Sequence, residues 1–205
     1  MKKYIDIDSW NRKEHFRFFK AFDDPFFGLT VDVDFTEVHN KSKKEGGSFF
    51  LDSLYKIMQA VNDTEAFRYR IEGEQVTCYD AIHVSSTVGR EDGTFGFSFW
   101  EFNANKSIFY QNARAAIDLV KKTEGLMLSD EMSRVDVIHY SPIPWIRFTD
   151  MKHAMSFSNA SSVPKITPGK LYCDEGGMKM AVSVTTNHAL MDGFHVAQFL
   201  NLLNK

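Results

Sequence analysis

Two hundred and five residues, 43% hydrophobic and 25% charged, suffice for one soluble unit with a real interior, and the chain reads as a single domain over 1–205. Its 24 basic and 27 acidic residues are mixed along the chain and leave a net charge of −3, so no basic surface for nucleic acid or anionic lipid stands out. Cys78 and Cys173 are too few for a disulfide scaffold and lack zinc-ligand spacing. No 18-residue apolar run offers a membrane span, and the expected location is the cytoplasm.

In chain order, Val31, Val33 and Phe35 alternate with Asp32, Asp34 and Thr36, the period of a strand with one buried face. The polar run 40–47 reads as a connection. Leu51, Leu54, Ile57, Met58 and Val61 then recur at helical spacing. Phe67, Tyr69 and Ile71, followed after Gly73 by residues 75–79, predict a hairpin. A further strand over 94–102 places Phe95, Phe97 and Phe99 on one face, and a helix is predicted over about 107–122. Pro142 and Pro144 make the next segment an ordered loop or edge, with 146–148 extended. A β-branched strand over 179–186 and a helix over 193–203 complete the chain. Nineteen phenylalanines exceed the needs of a core and point to a pocket or a subunit interface.

The junction between those last two elements, His188-Ala189-Leu190-Met191-Asp192-Gly193-Phe194-His195, admits three readings. His188, Asp192 and His195 at i, i+4 and i+7 have the spacing of metal ligands on a helix, but a strand running to Thr186 leaves His188 little room to be helical. Alternatively His188 is a satisfied structural histidine and Asp192 caps the final helix. In the third reading His188 is a general base that takes a proton from a hydroxyl attacking a carbonyl, and Asp192 braces the turn against a cationic partner, arginine by preference.

This run resembles the HxxxDGFH signature of chloramphenicol acetyltransferases, whose HxxxDG portion is shared with the wider coenzyme-A-dependent acyltransferases. Residues 10–16, Trp-Asn-Arg-Lys-Glu-His-Phe, resemble the family's N-terminal WxRxEHF. Gln59-Ala60-Val61-Asn62 resembles its QAVN helix, Thr94-Phe95 its substrate-side aromatic, and Ser141-Pro142-Ile143-Pro144-Trp145 its SxxPW segment. The matches run in order from residue 10 to 200 and favour the general-base reading of His188.

The resemblance implies a two-layer α/β sandwich, a mixed sheet with helices mainly on one face, in the CoA-dependent acyltransferase fold. It implies transfer of acetyl from acetyl-CoA, without a metal, to a hydroxyl of chloramphenicol, inactivating the antibiotic. The alternatives are another xenobiotic or metabolite alcohol, or a catalytically weak ligand-binding relative. His188 matches the base, its ring oriented by its own carbonyl, and Ser141 the hydroxyl that stabilises the oxyanion. Arg12 and Asp192 match a structural ion pair, Thr167 a threonine that supports the intermediate, and Lys170 a lysine near the phosphates of the coenzyme. Phe18, Phe19 and Phe95 match aromatics of the acceptor pocket. The family's assembly is a homotrimer with the site between subunits.

The sequence departs from the family's pattern at Asn187 and Met191, at Ser48 and Leu51 ahead of the QAVN helix, and around Asp23-Asp24-Pro25. Lys152 and His153 stand where drug-acetylating members carry an apolar pocket wall.

Overall fold

A computed structural model describes residues 1–154 and 161–204. Among the described residues, nine strands and five α-helices follow one another, with two short 3-10 turns. The strands are β1 (Lys2–Ile5), β2 (Phe26–Asp34), β3 (Tyr69–Glu72), β4 (Gln75–Tyr79), β5 (His83–Gly89), β6 (Phe95–Trp100), β7 (Val137–Tyr140), β8 (Lys165–Asp174) and β9 (Gly177–Asn187). The helices are α1 (Lys13–Lys20), α2 (Thr36–Glu45), α3 (Phe49–Asp63), α4 (Lys106–Lys122) and α5 (Gly193–Leu203).

Six strands form the main sheet in the order β2-β9-β8-β7-β5-β6, and β1-β4-β3 form a small antiparallel sheet. The main sheet is mixed, because β7 runs parallel to both β5 and β8 while the other pairs are antiparallel. Side-chain alternation splits it into two unlike faces. Val84, Ile138, Tyr140, Ile166, Val182 and Val184 point into the core with Leu54, Ile57, Met58 and Val61 of α3 and Val196, Phe199 and Leu203 of α5. Helices therefore cover one face. The opposite face presents Ser85, Thr87, Phe97, Phe99, His139, Lys165, Thr167, Ser183 and Thr185, by the observed register.

Two sequence expectations need correction. Residues 40–47 are mostly helix: α2 runs to Glu45 and stops at Gly46, whose φ of 62° is the left-handed conformation a glycine supplies without strain. Its inward contact is polar, Ser42 Oγ donating to Asp52 at 2.5 Å, so no apolar stripe announces it. Residues 146–148 are irregular rather than extended, and are held against β8 by Ile143 N to Pro168 O and Lys170 N to Ile146 O, each 2.9 Å. A side chain at Gly169 would meet Phe148 at 3.0 Å, so this close apposition favours glycine.

Candidate active site

β9 ends in a tight turn built by Asn187. Its side-chain oxygen accepts from Ala189 N at 3.0 Å, and its carbonyl accepts from Leu190 N and Met191 N at 3.1 and 3.2 Å. His188 N donates to Pro25 O at 2.7 Å, tying the turn to the residues that lead into β2. Asparagine at this position thus closes the bend, and Met191 is fully buried beneath it. Asp192 then caps α5, accepting from Phe194 N at 3.0 Å, with His195 Nδ1 2.9 Å from the same carboxylate.

Arg12, at the N-cap of α1, crosses from the far end of the sequence. Its Nη1 lies 2.5 Å from Asp192 Oδ2 and its Nη2 donates to His188 O at 3.2 Å. One buried guanidinium therefore holds both the cap and the residue bearing the imidazole. Burial opposes ionisation of Asp192, yet hydrogen bonds from Arg12 and His195 outweigh it and bring the carboxyl down to about 2.

The imidazole itself is held by packing. Phe19 lies flat on it, ring centroids 3.8 Å apart and planes 5° from parallel, and Phe27 flanks it at 4.6 Å. His188 Nδ1 is buried without a hydrogen-bond partner among the described residues. The expected restraint by its own carbonyl is replaced by this stack, and that carbonyl serves Arg12 instead. Nε2 is the ring nitrogen left to meet a ligand. Phe18 is 62% exposed and packs edge-on against Phe19 and Phe22 beside the stack.

The other expected residues gather elsewhere. Ser141 follows β7, its backbone N donating to Ile166 O at 3.1 Å and its hydroxyl 3.2 Å from Thr87 Oγ1. Thr167, fully buried on β8, lies beside it, with Oγ1 3.4 Å from His153 Nε2. Lys170 is exposed farther along β8. Phe95 stands at the edge strand β6, packed on Phe97 at 5.6 Å, and Phe97 rather than Phe95 pairs with Thr87. Sequence reasoning passed over Thr87, Phe97, His139 and Lys165 on this face. Only the alternation through Phe95, Phe97 and Phe99 signalled any of them.

The two groups do not meet within one chain. Continued one residue past Tyr140–Ile166, the β7–β8 register sets Ser141 opposite Thr167, which pairs one strand further with Ser183, whereas His188 lies five residues past Ser183. At ~4.8 Å between strands and ~3.3 Å per residue, serine and imidazole are about 15–20 Å apart. Ser48 caps α3 by accepting from Leu51 N, and Leu51 is buried, so both departures there serve the helix. Among the described residues no cluster of three His, Cys, Asp or Glu side chains could hold a metal, and no helix is long and apolar enough to cross a membrane.

This architecture, a half-covered mixed sheet with a histidine on the turn into its last helix, is the CoA-dependent acyltransferase fold. The solved dihydrolipoamide acetyltransferase of Azotobacter vinelandii shares the fold at a TM-score of 0.63 and 14% identity, over 94% of this chain and 86% of that one. A solved chloramphenicol acetyltransferase superposes at a TM-score of 0.92 with 30% identity, over 100% of this chain and 98% of that one. A chloramphenicol acetyltransferase of Bacillus pumilus is 28% identical over 99% of this chain and 92% of its own length. The family profile for chloramphenicol acetyltransferase matches residues 2–204, and the chain belongs to that family of acyltransferase enzymes.

Proposed function

We propose that this protein moves the acetyl group of acetyl-CoA to a hydroxyl of chloramphenicol, with His188 as general base. The observation that carries this reading is the imidazole, clamped by Phe19 and by the Arg12–Asp192 pair, with one nitrogen buried and the other open. Nε2 takes the hydroxyl proton as that oxygen bonds to the thioester carbonyl carbon. The carbon–sulfur bond then breaks, and the departing thiolate recovers the proton from the imidazolium. The Ser141 hydroxyl donates to the tetrahedral oxyanion, Thr167 supports it, and Lys170 meets the coenzyme phosphates. Phe18, Phe19 and Phe95 form apolar walls for an aryl alcohol.

The proposed assembly is a homotrimer in which His188 of one copy faces Ser141 of the next. The gap between them within a chain supports it, as do the exposed Phe18, Phe95, Trp145 and Phe194, a density of bare aromatics that a lone soluble chain rarely leaves uncovered. The test is chloramphenicol-dependent release of free thiol from acetyl-CoA. His188→Ala is expected to cut the rate by about 10²–10⁴; an unchanged rate discards the base.

A further inference from the structure

The helix-free face of the sheet carries three nitrogen groups that acetyl transfer does not employ: His139, His153 and Lys165. His139 and Lys165 are cross-strand partners on β7 and β8. Lys165 stands two residues before Thr167, hence on the same face and roughly 7 Å along the strand from it. His153 closes the group from the loop, with Nε2 3.4 Å from Thr167 Oγ1.

Lys165 is the anomaly among them. It is half-buried, with its ammonium 4.8 Å from the centre of the Phe26 ring, and it forms no ion pair among the described residues. Among the described residues Asp24 is the one acid that acts on it, from a distance, and that carboxylate accepts from Phe26 N at 3.1 Å. Burial pulls the lysine below its ordinary value, a burden that a neighbouring anion relieves. Burial and the nearby Lys165 likewise lower both histidines, His139 to about 4, so near pH 7 they act as neutral hydrogen-bonding groups. A wall serving only an aryl group would be apolar here.

We propose that this cluster widens the acceptor range, so that besides chloramphenicol the pocket takes, and prefers over its neutral counterpart, an alcohol carrying a second, anionic group, a carboxylate, with Lys165 as counter-ion and the histidines hydrogen-bonding it. The proposal rests on the acetyl-transfer reading above. It sets the spacing of the acceptor, because the distance from Thr167 to Lys165 puts the carboxylate several bonds from the reacting hydroxyl.

The experiment compares 4-(2-hydroxyethyl)benzoate with its neutral twin 4-(2-hydroxyethyl)benzamide, and with chloramphenicol, in the thiol-release assay. The benzoate is expected to exceed the benzamide in kcat/KM by about tenfold, the scale of one charge-assisted contact. Lys165→Met brings that ratio to about one while KM for acetyl-CoA holds. A wild-type ratio of one or less overturns the proposal, including the case in which a carboxylate of a second copy already neutralises the lysine. So does a Lys165→Met enzyme whose KM for acetyl-CoA rises while the ratio persists, since that assigns the lysine to the coenzyme. The wild-type ratio decides even if the variant does not fold. Turnover of chloramphenicol without preference for the benzoate sinks this inference alone; absence of thiol release with every acceptor sinks the acetyl-transfer reading with it.

Discussion

The turn at His188 and the face around Ser141 are built on opposite principles. At the turn, one arginine from the N-terminus, one stacked phenylalanine and one helix cap restrain a single imidazole and its backbone and leave Nε2 open. Around Ser141, residues from β5, β7, β8 and an irregular loop meet through long hydroxyl and imidazole contacts of 3.2 and 3.4 Å. The first region is complete within one chain and the second is not. On the proposed reading, a base must keep one orientation through the reaction, whereas an oxyanion donor and an acceptor pocket would be finished by the ligands and by a neighbouring copy.

Ser141→Ala separates the regions most sharply. It removes the proposed oxyanion donor and no core contact, so kcat is expected to fall about 10²–10³ with the melting temperature unchanged. Mixing it with His188→Ala tests whether the two regions work across a subunit boundary. If the site is shared as proposed, co-refolded assemblies of random composition are expected to restore about a quarter of wild-type sites, because each site then needs one intact residue from each of two chains. Mixtures no more active than the separate variants would place both residues in one chain.

The face around Ser141 carries a pH signature at milder acidity than the turn. His139 is held near 4 chiefly by burial, then by Lys165, Arg70 and His153, against an ordinary value of 6.5. The unfolded chain takes up this proton first on acidification, so native stability falls as pH drops from about 6.5 to 4, by up to ~3 kcal/mol. Denaturant titrations should show that slope, and His139→Gln should flatten it. An identical slope in the variant would mean that His139 is not the group responsible.

The same contrast governs what the sequence reveals. The turn is legible because β9 alternates, α5 starts at a capping aspartate with Gly193 behind it, and the motif is contiguous. Even its distant partner Arg12 sits in a recognisable run. The opposite face is assembled from β7, only four residues long, and β8, where Pro168 and Gly169 interrupt the pattern before a register shift at Leu171. Neither leaves a clear period, and β5 with its Ser85-Ser86-Thr87 centre was missed for the same reason. Lys165 and His139 become neighbours only through the parallel pairing of β7 with β8 across the long connection between them, which no local pattern encodes. Similarly, α2 hides because its buried side is a serine hydrogen-bonded to Asp52.

Arg12→Ala attacks the turn through its brace. Arg12 is 8% exposed in its side chain but Asp192 is 31% exposed, so the stranded carboxylate keeps part of its hydration. The expected loss is on the order of 2–3 kcal/mol, below the range for a fully buried pair. Its sign with pH is fixed: the folded carboxyl lies near 2, below its ordinary 3.8, so the pair stabilises fully above about pH 4 and loses its effect as pH falls toward 2. Wild type and Arg12→Ala should therefore converge in stability at the acid end. A constant gap there would mean that the arginine acts by packing alone.

The smallest expected effect belongs to Phe19, and it separates orientation from burial. Phe19→Leu keeps apolar bulk beside His188 but removes the flat face lying 3.8 Å from the imidazole. In the resting enzyme that face fixes the ring plane; after proton transfer it also sits against an imidazolium, where the negative π-surface favours the charge by about 0.5–1 kcal/mol. The substitution should lower kcat two- to fivefold on that scale, with KM for acetyl-CoA held and the melting temperature little changed. If kcat stays at the wild-type level, the stack is packing only, and the orientation of the base must come from Phe27 and the backbone of the turn.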